Sequence, residues 1–274
     1  MTDLRTTSGS GPSGDGAAEP ILRVEHISKT FGAVVALRDI NLHVNPGEVL
    51  GLVGDNGSGK STFVKVVCGF HRPDTGRIFL DGREVQFHSV RDARRQGIDT
   101  VYQDLALVPQ LSIYHNLFLN RELTFGGGLR LLSNRRMRRL AAESLADIKV
   151  GIPDIDAEVE QLSGGQRQAI AVARATRSEV KLLLLDEPLA AMGARESSLI
   201  IDLIKDLAQR GGSMIVVDHN YAHLFELCDR LNVIEQGRIT LDQTVADTSI
   251  EELTAYMVAE YRKQVTGGRG NGSS

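Results

Sequence analysis

Gly54-Asp55-Asn56-Gly57-Ser58-Gly59-Lys60-Ser61-Thr62 is the stretch on which the reading of this chain turns. It matches G-x-x-x-x-G-K-[ST], the pattern of a phosphate-binding loop. Glycines at these positions let successive backbone N–H groups turn inward around phosphate oxygens with no Cβ in the way. Val49 to Val53, just before it, is a compact apolar run such as a strand buried on both faces carries. Behind it Phe63, Val66, Val67 and Phe70 recur at helical spacing, and Gly69 marks the helix end. The helix N-terminus adds free donors and the positive end of its dipole. Lys60 is then placed to neutralise the β- and γ-phosphates, and Ser61 to ligate Mg2+. A plain Gly-rich turn is the alternative. Lys-Ser-Thr in register, with both flanks correct, decides against it.

Working outward, Lys181-Leu-Leu-Leu-Leu-Asp186-Glu187 supplies a second half. An acidic pair just past the carboxyl end of a buried strand points into the crevice where an α/β sheet binds ligands. Asp186 would orient the Mg2+ shell, and Glu187 would polarise an attacking water. Alone, such a pair also reads as a helix cap; the loop upstream favours catalysis. His219 ends the apolar run Met214 to Val217 and emerges on the same sheet edge as Glu187, where it would meet the γ-phosphate and the water. The other six histidines receive no role. Leu162-Ser163-Gly164-Gly165-Gln166-Arg167-Gln168 opens a helix rich in Ala and Arg, with Ser163 as its N-cap. Its glycines leave backbone donors bare, a second anion-binding helix end. One polypeptide has no need of two, unless this end caps the γ-phosphate held by a second subunit.

The rest of the chain sets the frame. Short strands at Ile21 to His26, Ile40 to Val44 and Arg77 to Leu80, with a hairpin turn at Asp81-Gly82, make the N-terminal part antiparallel. Strands then alternate with helices, which implies a largely parallel sheet. The fold class is α/β: a P-loop NTPase core, an N-terminal antiparallel β part and a helical insertion at about residues 105–175. That insertion holds a Gly-rich loop, Gly126 to Gly128, and a helix with Met137, Leu140, Ala141, Leu145 and Ile148 on one face. Arg135, Arg136, Arg138 and Arg139 read as its solvated outer face rather than an RNA site. Residues 1–19 and 265–274 are polar tails expected to be disordered, which leaves one domain over 20–264.

Composition narrows the class of protein. Of 274 residues, 42% are hydrophobic and 24% charged, with a net charge of −4, which argues against nucleic acid as a partner. Two cysteines, Cys68 and Cys228, fit a reducing compartment. No apolar run approaches the roughly 18 to 20 residues that cross a bilayer, and the N-terminus has no apolar h-region, so a cytoplasmic protein is expected.

Taken together, the loop, Leu-Ser-Gly-Gly-Gln and Leu-Leu-Leu-Leu-Asp-Glu at these separations resemble the nucleotide-binding subunits of ABC transporters over about residues 21–260. The resemblance implies two copies head to tail, each ATP lying between Lys60 of one and Ser163, Gly164 and Gly165 of the other. It implies that Gln103, in Val-Tyr-Gln-Asp-Leu, senses Mg2+ and the γ-phosphate and touches the transmembrane partner. Phe31 matches the aromatic that stacks on adenine; from sequence it reads equally as a core residue. The Gly-Asp-Asn-Gly-Ser-Gly-Lys loop, Val101 to Leu119 and Glu187-Pro-Leu-Ala-Ala-Met-Gly resemble ATP subunits of bacterial simple-sugar importers of the ribose, xylose and fructose kind. Many of those carry two fused ATP-binding halves, where this chain has one, and it is too short for a maltose-type regulatory domain. The likeness to those importers implies an ATPase at the cytoplasmic face of the bacterial inner membrane, with permease subunits and an extracytoplasmic sugar-binding protein. An exporter subunit, or a soluble ABC ATPase, is the alternative. Most of the family reads Ser-Ala-Leu-Asp after the catalytic Glu, and that Asp links the two ATP sites. This chain has Ala190-Ala191-Met192-Gly193, at a place where sugar importers often vary.

Overall fold

The computed structural model describes residues 19–125, 131–148, 151–152, 154–177, 179–190 and 192–267. The loop Gly126 to Gly128, residue Ala191 and most of the two expected tails lie outside the described residues. Beginning at the N-terminus, β1 (Leu22–Phe31), β2 (Val34–Val44) and β3 (Val49–Val53) lead into the phosphate loop and α1 (Lys60–Val67). Next come β4 (Thr75–Leu80), β5 (Arg83–Val85), α2 (Val90–Gln96) and β6 (Ile98–Val101). The helical insertion holds α3 (Ile113–Phe118), the small hairpin β7 (Thr124–Phe125) and β8 (Leu131–Leu132), α4 (Asn134–Asp147) and α5 (Gly164–Thr176). The chain then returns to alternation with β9 (Leu182–Asp186), α6 (Ala194–Gln209), β10 (Ser213–Val217) and α7 (Tyr221–Leu227). It closes with β11 (Arg230–Glu235), β12 (Arg238–Thr244) and α8 (Ile250–Gly267).

The strands make the two expected sheets. An antiparallel sheet runs in the order β2-β1-β4-β5, with Asp81 and Gly82 both at positive φ in the β4–β5 turn, as a tight hairpin requires. The second sheet runs β12-β11-β3-β10-β9-β6, parallel throughout except for the antiparallel edge strand β12. Its central strands are buried on both faces, and successive side chains serve two different cores. Leu50, Leu52, Leu182, Leu184, Ile215 and Val217 pack with α1 and the antiparallel sheet. Val49, Val53, Leu183, Leu185, Met214 and Val216 pack with the helices of the other face. Burying one such side chain stabilises the fold by about 1.5–3 kcal/mol, and polar residues enter these strands only at their ends, Ser213 and Asp186.

Three local expectations are revised. Helix α1 ends at Val67, so Phe70 does not join its buried face and is 61% exposed. Gly69, at φ +75°, turns the chain out: its N–H donates to the Val66 carbonyl and that of Phe70 to Lys65, which satisfies the helix end. Arg138 is not simply solvated. Its guanidinium bonds Asp156 at 2.7 Å and lies over the Tyr114 ring, whereas Arg135, Arg136 and Arg139 are exposed. The last helix runs to Gly267, past the expected boundary at residue 264. Among the described residues, no helix is long and apolar enough to cross a membrane.

Candidate nucleotide site

The phosphate loop is built from backbone and walled by distant strands. Gly54, at φ +154°, has no room for a side chain: a Cβ there would press into the Ile234 carbonyl and lie 2.7 Å from Ser58 Oγ. Gly59, at φ +117°, would place one 2.7 Å from the Ala36 carbonyl. The turn between β11 and β12 pins the loop, Gly237 donating its N–H to the Ser58 carbonyl at 2.8 Å and accepting from Arg38 at 2.7 Å. Gly59 caps α1 without a side chain, so no hydroxyl or carboxylate occupies the first N–H groups of that helix. Inside this cradle Lys60 is buried and its ammonium donates to the carbonyls of Gly54, at 2.5 Å, and Asp55, at 2.9 Å. Burial holds the Lys60 ammonium below its ordinary pKa, against the opposing pull of Glu187, Asp55 and Asp186. Ser58 Oγ is buried and meets no partner among the described residues. Bare donors, a hydroxyl without a partner and a lysine folded onto carbonyls fit a polyphosphate.

The acidic pair arrives at the same edge. Strand β9 pairs with β10 so that Asp186 stands opposite Val217, and the next residue, Glu187, adopts a left-handed φ of +51° with its N–H bonded to the Val217 carbonyl at 2.8 Å. That uncommon conformation bends the chain at the strand end, where strained residues gather at functional sites. His219 follows β10, 69% exposed, with Nδ1 3.6 Å from Glu187 Oε1. Asp218 beneath it is buried, accepts from the Asn220 N–H at 2.9 Å and lies 3.2 Å from His223 Nδ1, which steadies the turn that presents His219. Gly54, Asp55, Asn56, Glu187, His219 and Tyr221 line one cleft of about 310 Å3. The Asp186 carboxyl is raised above its ordinary pKa, first by burial and then by the neighbouring Glu187, with Lys60 opposing. Ser61, Asp186 and Gln103 offer a hydroxyl, a carboxylate and an amide oxygen. Such a hard oxygen set suits Mg2+ rather than a thiophilic metal.

Gln103 lies two residues past β6, whose Val101 pairs with Leu185, so it leaves the sheet level with Glu187. Two residues that sequence reading does not single out hold the segment behind it. Arg174 of α5 donates to the carbonyls of Leu105, at 2.6 Å, and Ala106, at 2.9 Å. Asn116 of α3, fully buried, donates to Val108, at 3.0 Å, and Leu111, at 3.1 Å, and accepts from the Val108 N–H at 2.7 Å. Tyr221 on the cleft wall is another residue that sequence reading does not single out. Phe31 lies outside both cores, 42% exposed, its ring edge-on to His71. It pairs with Val34 in the hairpin whose second strand borders the loop at Ala36.

The second helix end is formed, but its donors are not bare as expected: the Gly165 N–H goes to Glu196 Oε1 at 3.4 Å and the Gln166 N–H to the Ser163 hydroxyl. Ser163 caps α5 reciprocally with Gln166, hydroxyl to N–H and amide to N–H. Ser163, Gly164 and Gly165 do not line the cleft that holds Glu187 and His219. Lys60, Asp186, Glu187 and His219 are thus gathered within one chain, and the Ser163 helix end stands apart from them.

These features define a P-loop ATPase with a helical insertion between its phosphate loop and its acidic strand. The chain belongs to the ABC transporter family, whose profile matches residues 37–190. It is 41% identical over 239 residues to the xylose/arabinose import ATP-binding protein XylG of Sulfolobus acidocaldarius, an alignment covering 87% of this chain and 94% of that one. It is likewise 41% identical over 246 residues to the fructose import ATP-binding protein FrcA of Rhizobium meliloti, covering 88% and 95%. Among solved structures, the ADP conformation of the ATP-binding cassette MJ1267 superposes with a TM-score of 0.75 at 25% identity, covering 88% of this chain and 96% of that one. A dimeric post-hydrolysis cassette, MJ0796 bound to ADP and Pi, superposes at 0.68 with 24% identity, over 82% and 98%, and supports the fold.

Proposed function

We propose that this chain binds and hydrolyses ATP to drive uptake of a monosaccharide through separate transmembrane permease subunits. It works as a head-to-tail homodimer at the cytoplasmic face of the bacterial cell membrane, alongside an extracytoplasmic sugar-binding protein. The observation that carries the reading is the cleft itself, where Glu187 and His219 face the loop of Lys60 at a parallel sheet edge. Likeness to sugar-import subunits over most of the chain favours import over export.

The residues divide the work. Asp55, Asn56, Gly57, Ser58, Gly59 and Thr62 direct loop and helix N–H groups at the phosphates, and Lys60 turns from its two carbonyls to the β- and γ-phosphate oxygens. Phe31 stacks on adenine. Ser61, Asp186 and Gln103 are the groups that would hold Mg2+, which when bound draws charge from the phosphate oxygens. Glu187 accepts a proton from the attacking water as its oxygen bonds to the γ-phosphorus and the bond to ADP breaks. His219 steadies that water and the γ-phosphate. Ser163, Gly164 and Gly165 of the facing copy close over the γ-phosphate. ATP therefore favours the closed pair, and its hydrolysis removes the contacts that hold it closed.

Glu187→Gln keeps the shape of the site and loses the base. It is expected to bind ATP and to shift from monomer to dimer with Mg-ATP in light scattering, while turnover falls by about a hundredfold or more. Rapid hydrolysis by that variant would overturn the role of Glu187. A monomer under saturating ATP would overturn the head-to-tail pair for the isolated chain.

A further inference from the structure

Glu196 carries a contact that none of the chemistry above uses. It is the third residue of α6, behind the cap Gly193, yet its carboxylate reaches the start of another helix. The Gly165 N–H donates to Glu196 Oε1 at 3.4 Å. The Ser163 hydroxyl and the N–H groups of Gly193 and Gly164 also bear on it, and together, the Gly165 N–H foremost, they hold the carboxyl below the ordinary range. The fit is close: a Cβ on Gly165 would lie 3.1 Å from Glu196 Cβ, and one on Gly164 3.5 Å from Oε2. A carboxylate in the first turn of α6 therefore sits on the N-terminus of α5.

We propose that Glu196 is a positioning residue of the ATPase cycle. Its carboxylate is a resident anion on the Ser163–Gly165 helix end, and the γ-phosphate of the ATP held by the facing subunit must displace it. The proposal rests on the head-to-tail reading above. Its physical basis is direct. The Gly165 N–H has one hydrogen to give, and two anions a few ångströms apart repel. A helix N-terminus favours either anion, so the two compete for the same donors.

Displacement also has somewhere to act. The Gly193 carbonyl accepts from the Ser197 N–H at the start of α6, and Glu187, six residues earlier in the chain, has its carbonyl bonded to the Ala190 N–H at 3.1 Å. Phosphate arriving at one subunit's α5 therefore frees the α6 terminus that leads to the same subunit's Glu187. Gly193 stands where the family's linking Asp is absent, and Glu196 provides a route between the two nucleotide sites without it.

The test titrates Mg-ATP against the Glu187→Gln protein and the same protein carrying Glu196→Gln, reading dimer formation by light scattering. With the resident charge removed, the ATP concentration at half-dimerisation is expected to fall about three- to fivefold. In the chain that keeps Glu187, Glu196→Gln should lower KM for ATP without raising kcat, a split that lost packing would not produce. Glu196→Ala gives a second variant that also lacks the charge and should move the midpoint the same way. A midpoint unchanged or raised in both variants would overturn the proposal. A Glu187→Gln parent that never dimerises overturns the head-to-tail reading and this inference with it, an outcome visible before any Glu196 variant is made.

Discussion

Asp186 and Lys60 depart from ordinary ionisation in opposite senses for one reason, because burial resists both charges. For Asp186 the folded chain keeps its proton to higher pH than the unfolded chain does. Stability from this residue therefore falls as pH rises past the ordinary value of 3.8 and through the raised one. Asp186→Asn should then melt above the wild type at neutral pH in the absence of nucleotide, with the gap closing as acid protonates the native carboxyl, and should lose hydrolysis. Thermal melts across that pH range check it. A lower-melting Asn variant at neutral pH would mean that attraction to Lys60 outweighs burial. That Lys60, Asp186 and Glu187 come together at one sheet edge was legible in the sequence, because it follows from fixed spacing around one loop and one strand. Asn116, Arg174 and Glu196 were not. Their partners are backbone groups outside their own helices, and no local spacing announces such contacts.

Elements show the same division. Strand β3 and helix α1 could be placed from their apolar patterns, but the end of α1 could not be set to the residue. The spacing that admits Phe70 says nothing of the turn that Gly69 imposes, and the backbone decides. The short helix α3 depends on a side chain as much as on its apolar face. Asn116 satisfies three backbone groups of the segment behind Gln103, at Val108 and Leu111. Truncation to Ala strips those buried groups of partners, which costs about 2–4 kcal/mol. Chemical denaturation of Asn116→Ala should show that loss with an unchanged denaturant slope. A cost within about 0.5 kcal/mol, typical of a surface site, would mean that water takes over the role. Because Asn116 lies behind the Gln103 loop, the variant should also weaken hydrolysis more than it weakens ATP binding.

At the scale of the whole molecule, alternating strands and helices foretold a parallel sheet, an antiparallel flank and a helical insertion, and all three are present. Strand order was out of reach, since any parallel arrangement would satisfy the same runs. The order matters. Strand β3, which presents the phosphate loop, lies between β10 and β11, and its loop is walled by Ile234 and pinned by Gly237. A chain cut before residue 230 should therefore retain the whole Gly54–Thr62 motif and yet fail to hold ATP, which fluorescent-nucleotide binding would show; retention of full affinity would mean that the loop closes without those walls. During translation the motif emerges from the ribosome long before the residues that complete it. A copy still short of Gly237 thus has no working grip on the cell's fuel, and only a chain that has passed that turn can begin to spend it.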